Sequence, residues 1–268
     1  MSQRPSVTVC IPIHNAFEDT VACVESVVRR MATEQHSLLL IDDRSTDPCL
    51  REWLTHLMRQ LPAIRLIRHD QAQGFVRTAN QGLRLAGGDD VVLLNSDTIV
   101  TDGWLTGLRE AAQADTRTAS VTPLSNEASI FSLLSPRQWK ETLARRGVQE
   151  TGRLLRERSQ RLRPAIPTGV GFCLYLRRAA IEEIGLLDEA FGMGYGEEND
   201  WCMRAAAAGW RHVLDDATFV YHRGGASMDP AGHGKAGKDH RTDKLTLLLG
   251  KHPSYQETID AFIRSDAL

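Results

Sequence analysis

The chain reads as a single α/β domain, a mixed and mainly parallel sheet flanked by helices. Three observations predict it. Short β-branched or leucine-rich runs recur along the first 122 residues, separated by stretches of helical periodicity. The runs are apolar at successive positions rather than alternating, as in strands covered on both faces. Acidic, amide or imidazole residues stand where several of these runs stop, and that edge is where open α/β sheets bind ligands.

Val7-Thr-Val-Cys-Ile-Pro-Ile13 is the first strand, and Val21, Val24, Val27, Val28 and Met31 follow at helical spacing. Ser37-Leu-Leu-Leu-Ile41 is the second strand and stops at Asp42-Asp43; Leu50, Leu54, Leu57, Met58 and Leu61 then mark a helix ending before Pro62. A third strand is expected at 64–67, a helix at 75–86 closed by Gly87-Gly88, and a fourth strand at 91–94. A helix at 104–114 and a short strand at 119–122 complete the first half. The stretch 136–164 holds nine Lys/Arg against three glutamates. It is expected to be a basic, partly helical excursion, either a solvated helix pair or a patch for anionic lipid or a charged acceptor. Order returns with a strand at 169–176, helices at 178–184 and 197–208 closed by Gly185 and Gly209, and short strands at 210–214 and 218–221. Residues 222–240 are rich in glycine and poor in apolar side chains, so a mobile loop is expected there. No repeat or domain boundary is evident, and the halves 1–122 and 123–268 belong to one domain.

With 268 residues, 42% hydrophobic and 25% charged, the composition is that of a globular protein able to bury a full core. A net charge of −2 argues against nucleic acid as a partner. Five scattered cysteines without a CxxC pair suggest neither a disulfide framework nor a zinc site, and a reducing, cytoplasmic setting is expected. The N-terminal Met-Ser-Gln-Arg-Pro lacks a signal peptide's apolar region, and no apolar run approaches the ~18 residues that span a bilayer. Work at a membrane would therefore be by docking. No Walker loop, no GxGxxG after the first strand and no nucleophile elbow occurs.

Asp97 surfaces at the end of Val91-Val-Leu-Leu94. With Asn95 and Ser96 it offers oxygen ligands to a hard cation and a diphosphate, although Ser-Asp-Thr is also ordinary turn composition. Asp42 or Asp43 could accept hydrogen bonds from a ribose or base edge, or cap the turn in which they stand. Glu197-Glu198-Asn199-Asp200 opens a helix just after Gly192-Met-Gly-Tyr-Gly196, where the backbone dipole favours ionised carboxylates and a general base needs one. Asp200 fits better as the partner of Arg204 one turn on. His222 is an ordinary surface or core histidine by itself and a metal ligand if it meets Asp97.

Taken in order, these motifs resemble the inverting family 2 glycosyltransferases of the GT-A fold, the nucleotide-diphospho-sugar transferase architecture, over nearly the whole chain. The first strand through Pro12, His14 and Asn15 resembles the family's opening strand, and Ile41-Asp-Asp-Arg-Ser-Thr-Asp47 its nucleoside-binding turn. Gly74-Phe-Val-Arg-Thr-Ala-Asn-Gln-Gly82 is similar to the helix start beside the donor, which brings in Arg77 and Asn80. Leu94-Asn-Ser-Asp-Thr98 looks like the metal-binding DxD region. The stretches 169–175, 177–178, 185–188 and 197–204 resemble the acceptor-side segment with its ED motif, with Gly171, Asp200 and Trp201 on the acceptor side. Tyr221-His222 matches the late metal-binding histidine. Two departures stand out. Asn95 replaces the first DxD carboxylate, as in relatives resembling rhamnosyl- and galactofuranosyl-type transferases, and the ED motif reads Glu197-Glu198.

The resemblance implies Mg2+ or Mn2+ held by Asp97, His222 and the donor diphosphate, and Glu198 or Glu197 as the base for an acceptor hydroxyl. The donor would be a UDP- or dTDP-linked sugar, with Arg77 near its diphosphate. The acceptor would be a glycan or lipid-linked, as in bacterial surface polysaccharide synthesis, with peripheral contact to the inner membrane face through 136–164. The segment 223–238 would close over the donor, bringing Arg223, Lys235 and Lys238 to its phosphates. Two alternatives stay open: a sugar nucleotidyltransferase, which would want a glycine-rich basic loop where His14-Asn-Ala-Phe17 stands, and a non-catalytic nucleotide-sugar-binding module, which Asn95 permits.

Overall fold

The computed structural model describes residues 6–128, 133–224 and 235–265, leaving aside the side chains of 235–241. The first half runs β1 (Val7–Ile13), α1 (Phe17–Val28), α2 (Met31–Glu34), β2 (Ser37–Asp42), α3 (Pro48–Gln60) and β3 (Arg65–Arg68). It continues through α4 (Phe75–Leu85), β4 (Asp90–Leu94), β5 (Thr98–Val100), α5 (Trp104–Gln113) and β6 (Thr118–Leu124). The second half holds α6 (Pro136–Arg158), β7 (Ala165–Ile166), β8 (Cys173–Leu176), α7 (Arg178–Ile184), α8 (Glu197–Ala207), β9 (Arg211–His222), α9 (Lys235–Lys251) and α10 (Tyr255–Ser265).

The sheet order is β3-β2-β1-β4-β8-β6-β9-β5, with β7 also paired to β9. β1, β2, β3 and β4 are mutually parallel, β8 runs antiparallel between β4 and β6, and β5 runs antiparallel to β9. Each central strand splits its apolar side chains between two cores, as the unbroken runs predict. Val9 and Ile11 of β1, Leu38 and Leu40 of β2, and Val92 and Leu94 of β4 face one cluster. Cys10, Leu39, Ile41, Val91 and Leu93 face the other, which α4, α7 and α8 cover. Local chemistry starts the helices where the sequence asks: Asp47 caps α3 by accepting from Cys49 N at 2.8 Å, with Pro48 in the first turn.

Two expectations change and a third, the partly helical basic excursion, holds. The strands expected at 210–214 and 218–221 are one strand, β9, whose pairing with β6 jumps from Asp215 to Phe219 across a bulge. The loop expected at 222–240 is helical from Lys235, because Leu248 further along α9 is buried in the second core; residues 225–234 lie outside the described residues, as do the side chains of Lys235 and Lys238. The basic excursion is a helix kinked at Gly147, where φ is 75°. Arg137 pairs there with Glu141, Arg153 with Glu150 and Glu157, and Arg161 and Arg163 with Glu110 of α5, which dilutes the patch. No helix among the described residues is long and apolar enough to cross a membrane.

Candidate active site

The register explains why distant residues meet. Leu94 of β4 pairs with Cys173 of β8, so Asn95 and Gly171-Phe172 leave the sheet together, tied by Asn95 N to Phe172 O at 2.9 Å. Thr98 pairs with His222, so the turn carrying Ser96 and Asp97 lies against the end of β9. The C-terminal ends of β1 and β2 open onto the same edge. Between them lies a cavity of about 360 Å³ that takes in Pro12, His14, Asp43, Asn95, Ser96, Asp97, Gly171, Glu197, Glu198 and His222. Its apolar walls are Phe75, Val170, Phe172, Met193 and Tyr195.

His222 is fixed from three sides. Its backbone N and O bond the Asn126 side chain at 2.9 and 2.7 Å, and its ring stacks on Phe172 with centroids 5.2 Å apart. Nδ1–H donates to the Glu127 carbonyl at 3.1 Å, which turns Nε2 toward Asp97 Oδ1 at 3.4 Å. Burial lowers the pKa of this imidazole, but the Asp97 carboxylate and Glu127 outweigh it and the net shift is upward. His14 donates from Nδ1 to the Asp43 carbonyl at 2.9 Å.

Asp43, not Asp42, faces the cavity. Its carboxylate is held by His69 Nδ1 at 2.8 Å and by the N–H groups of Gln73 and Gly74 at 2.7 and 2.8 Å. Burial would raise this carboxyl; the His69 ring and the two amides prevail and keep it below the ordinary range. Asp42 turns inward and accepts from Ser45 N at 2.8 Å, closing its own turn.

The two glutamates differ. Glu197 is buried, and its Oε2 meets no hydrogen-bond partner among the described residues. Glu198 is half-buried, lies against Gly171 and accepts from Gly196 N at 3.3 Å. Burial raises both, and the charge of Glu198 raises Glu197 further. In Glu198 the N–H groups of Gly196, Gly171 and Asn199 partly reverse the effect. The glycines before them permit this turn: Gly194 and Gly196 have φ of 109° and 99°, and Tyr195 between them has φ of 71°.

Besides Asp42, five expected site residues stand elsewhere. Arg77 is exposed and pairs with Glu189 at 3.0 Å, away from the cavity lining. Asn80 is buried and bonds Leu187 N and O, both at 2.9 Å, so its amide is spent on joining α4 to the turn after α7. Asn15 accepts from Thr46 N and Asp47 N at 2.8 and 3.2 Å and shapes the turn after β2. Trp201 is core, its Nε1 donating to Gly185 O at 2.9 Å. Asp200 pairs with Arg204 at 2.9 Å, as its spacing predicts, and also with Lys251 and His252. Sequence reasoning missed Asn126, Glu127, His69 and the Phe75, Met193 and Tyr195 walls. The Gly192–Gly196 glycine spacing was the available signal for the last two.

A cavity at the strand ends of a mainly parallel sheet is where open α/β folds bind their ligands, and this one is rich in carboxyl groups with an Asp-His pair at its edge. The chain belongs to glycosyltransferase family 2: the model described as "Glycosyl transferase family 2" matches residues 8–185. It is 28% identical over 246 residues to the probable N-acetylgalactosaminyltransferase 9 of Caenorhabditis elegans, covering 87% of this chain and 42% of that protein. It is also 28% identical over 209 residues to N-acetylgalactosaminyltransferase 7 of Drosophila melanogaster, covering 73% and 35%. The chain thus spans less than half the length of these relatives. Its fold is shared with GalNAc-T7 crystallised with UDP, GalNAc and Mn2+ (TM-score 0.65, 16% identity, 100% of this chain, 59% of that one). It is shared too with the mannosyltransferase PcManGT of Pyrobaculum calidifontis in complex with GDP-Man and Mn2+ (TM-score 0.65, 17% identity, 98% and 70%).

Proposed function

We propose that the chain transfers a sugar from a nucleoside diphosphate, UDP- or dTDP-linked, to a hydroxyl of a glycan or lipid-linked acceptor, as in surface polysaccharide synthesis. The observation that carries this reading is the acidic lining of one cavity: the Asp43 and Asp97 carboxylates and the Glu197-Glu198 pair line it, and no Lys or Arg does among the described residues. A diphosphate enters such a cleft only with a cation to offset the like charges. Asp97 and His222 supply an oxygen and a nitrogen ligand suited to Mg2+ or Mn2+, and the diphosphate supplies the rest. The His222 Nδ1–H bond to a carbonyl is what orients a ligating histidine. When bound, the cation neutralises charge on the departing diphosphate.

Glu198 takes the acceptor proton, and burial tunes it for that task by lifting it above an ordinary carboxylate. The acceptor oxygen attacks the anomeric carbon opposite the diphosphate, the bond to the diphosphate breaks, and the configuration inverts. Asp43 receives hydrogen bonds from the nucleoside, and the Phe75, Met193 and Tyr195 walls pack on ring faces. The names of the relatives make UDP-N-acetylgalactosamine the first donor to try, and Asn95 adds deoxyhexosyl donors.

The test is a thermal-shift and transfer panel of nucleotide sugars with and without Mn2+, on the wild type and Glu198→Gln. The expected result is stabilisation of both proteins by donor with metal, a rate loss of roughly 10²–10⁴-fold in the variant, and an inverted product by NMR. A protein that no nucleoside diphosphate stabilises would overturn the proposal.

A further inference from the structure

Cations that the catalytic cavity lacks gather at the outer edge of the sheet. Between α3 and the edge strand β3 lies an open groove of about 520 Å³, lined by Arg51, Thr55, His56, Arg59 and Arg68, with Glu52 its one acidic residue. Arg51, Thr55 and Arg59 follow one another at one-turn spacing and so share a face of α3. Arg68 reaches that face from β3: Nη2 donates to Arg51 O at 2.7 Å and to Thr55 Oγ1 at 3.0 Å, and Nε stands 3.6 Å from the Asp42 carboxylate. The Thr55 hydroxyl is fixed in turn by donating to Arg51 O at 2.7 Å. One guanidinium is therefore held in place before any ligand arrives, and its Nη1 makes no hydrogen bond among the described residues. Arg51 and Arg59 form no ion pair among the described residues, unlike Arg137, Arg153, Arg161 and Arg163 of the basic excursion. Like charges on neighbouring turns work against a bare fold, and an anion in the groove reverses that.

We propose that this groove is a second ligand site, separate from the catalytic cavity, which binds a phosphate monoester of a small molecule. Phosphate is the group that a guanidinium fork matches: its oxygens take paired N–H···O bonds from Arg68 and charge-assisted ones from Arg51 and Arg59. The volume falls within the roughly 300–1,000 Å³ of small-molecule sites, which leaves room for an organic part beside the phosphate, with His56 as a further polar contact. A lipid surface fits less well, because none of the exposed large apolar side chains among the described residues lies on α3 or β3 to enter a bilayer. The site needs no cation, in contrast to the acidic cavity.

The experiment titrates glycerol phosphate, inorganic phosphate and glycerol by calorimetry, without divalent metal, into four proteins. These are the wild type, Arg59→Gln, the double variant Arg51→Gln/Arg59→Gln, and Arg146→Gln, whose side chain lines a different arginine-bearing cavity at the kink of α6. The wild type is expected to bind both phosphates saturably and glycerol not at all. Arg59→Gln should weaken phosphate binding roughly tenfold and the double variant roughly 100-fold, the worth of one and two hydrogen bonds between charged groups. Arg146→Gln should stay within about twofold of wild type. Melting temperatures should agree within about 2 °C across the set, since exposed arginines without fixed partners add little to stability. UDP with Mn2+ should bind all four alike. Phosphate binding that survives the double variant, glycerol binding as tightly as its phosphate, or a wild type that binds no phosphate would each overturn the proposal. So would vesicles bearing phosphatidic acid that bind the wild type while the soluble phosphates do not, an outcome that assigns the groove to a membrane.

Discussion

His212 should make this fold acid-sensitive in a way that can be isolated from every other group. It lies 2% exposed between three elements: Nδ1 accepts from Ser120 Oγ of β6 at 2.7 Å, and Nε2–H donates to the Cys202 carbonyl of α8 at 2.9 Å. The ring therefore ties β9, which ends in His222, to the helix that carries Glu198. Burial pushes its pKa from 6.5 down to about 4, the Cys202 carbonyl offsetting a little. The sign is fixed by linkage: the unfolded chain takes the proton near pH 6.5 and the folded one only near pH 4. Stability is then drawn away as pH falls through that window, by about 2.5 kcal/mol at pH 4.5. In His212→Gln the drain is absent. At pH 7.5 the variant should be weaker than wild type by about 2 kcal/mol for two disturbed buried hydrogen bonds. By pH 4.5 that gap should close, because all other titrating groups are common to both proteins. Urea unfolding followed by circular dichroism at half-unit steps gives the difference directly. Two curves that stay parallel from pH 7.5 to 4.5 would refute the buried neutral ring.

Other outcomes follow from the same contacts. Asn80→Ala should cost about 2–4 kcal/mol in urea unfolding, since Leu187 N and O both lose a buried partner; UDP affinity of the folded fraction should not change. Arg77→Ala should leave the donor KM within about twofold, its exposed pair with Glu189 being worth little; a tenfold rise would show that the side chain swings to the phosphates. Mn2+ should bind weakly to the free protein and at least about tenfold more tightly with UDP present, because Asp97 and His222 form an incomplete ligand set. Calorimetry that finds equal affinity in both states would contradict this.

The fold was legible because the strands are buried on both faces and the helices carry clear periodicity; 178–184 and 75–86 were read almost to the residue. The cavity was legible through strand ends and a helix start, which brought Asp97, Glu198 and His222 together over long separations. What failed was deciding which way a polar side chain turns. Asp42 and Asp43 are neighbours on an extended backbone, so one enters the cavity and the other its own turn, and sequence alone left the pair open. Asn80 and Arg77 stand on one helix near the donor edge, yet one is consumed by a backbone it cannot see in sequence and the other by a surface glutamate 112 residues away. The walls supplied by Met193 and Tyr195 depend on left-handed backbone between glycines, a geometry that spacing hints at without fixing direction.

The stretch that matches the family model ends at Gly185, but the groups proposed for chemistry and their supports lie largely beyond it. Asp200 sits two residues after Glu198 on α8 and is fully buried, so its carboxylate requires partners. Arg204 supplies one from the same helix at 2.9 Å. Lys251 and His252, at the junction of α9 and α10, supply the others at 3.0 and 2.9 Å, while Lys251 also pairs with Asp188 ahead of the glycine-rich turn. Lys244 donates to Ala190 O at 2.8 Å, and Leu248 packs beneath Gly196. The C-terminal helices therefore brace both ends of the turn that presents Glu197 and Glu198. Direction is what such bracing fixes: a carboxylate at a helix start can rotate with its first turn, and the ion pairs on Asp200 resist that rotation.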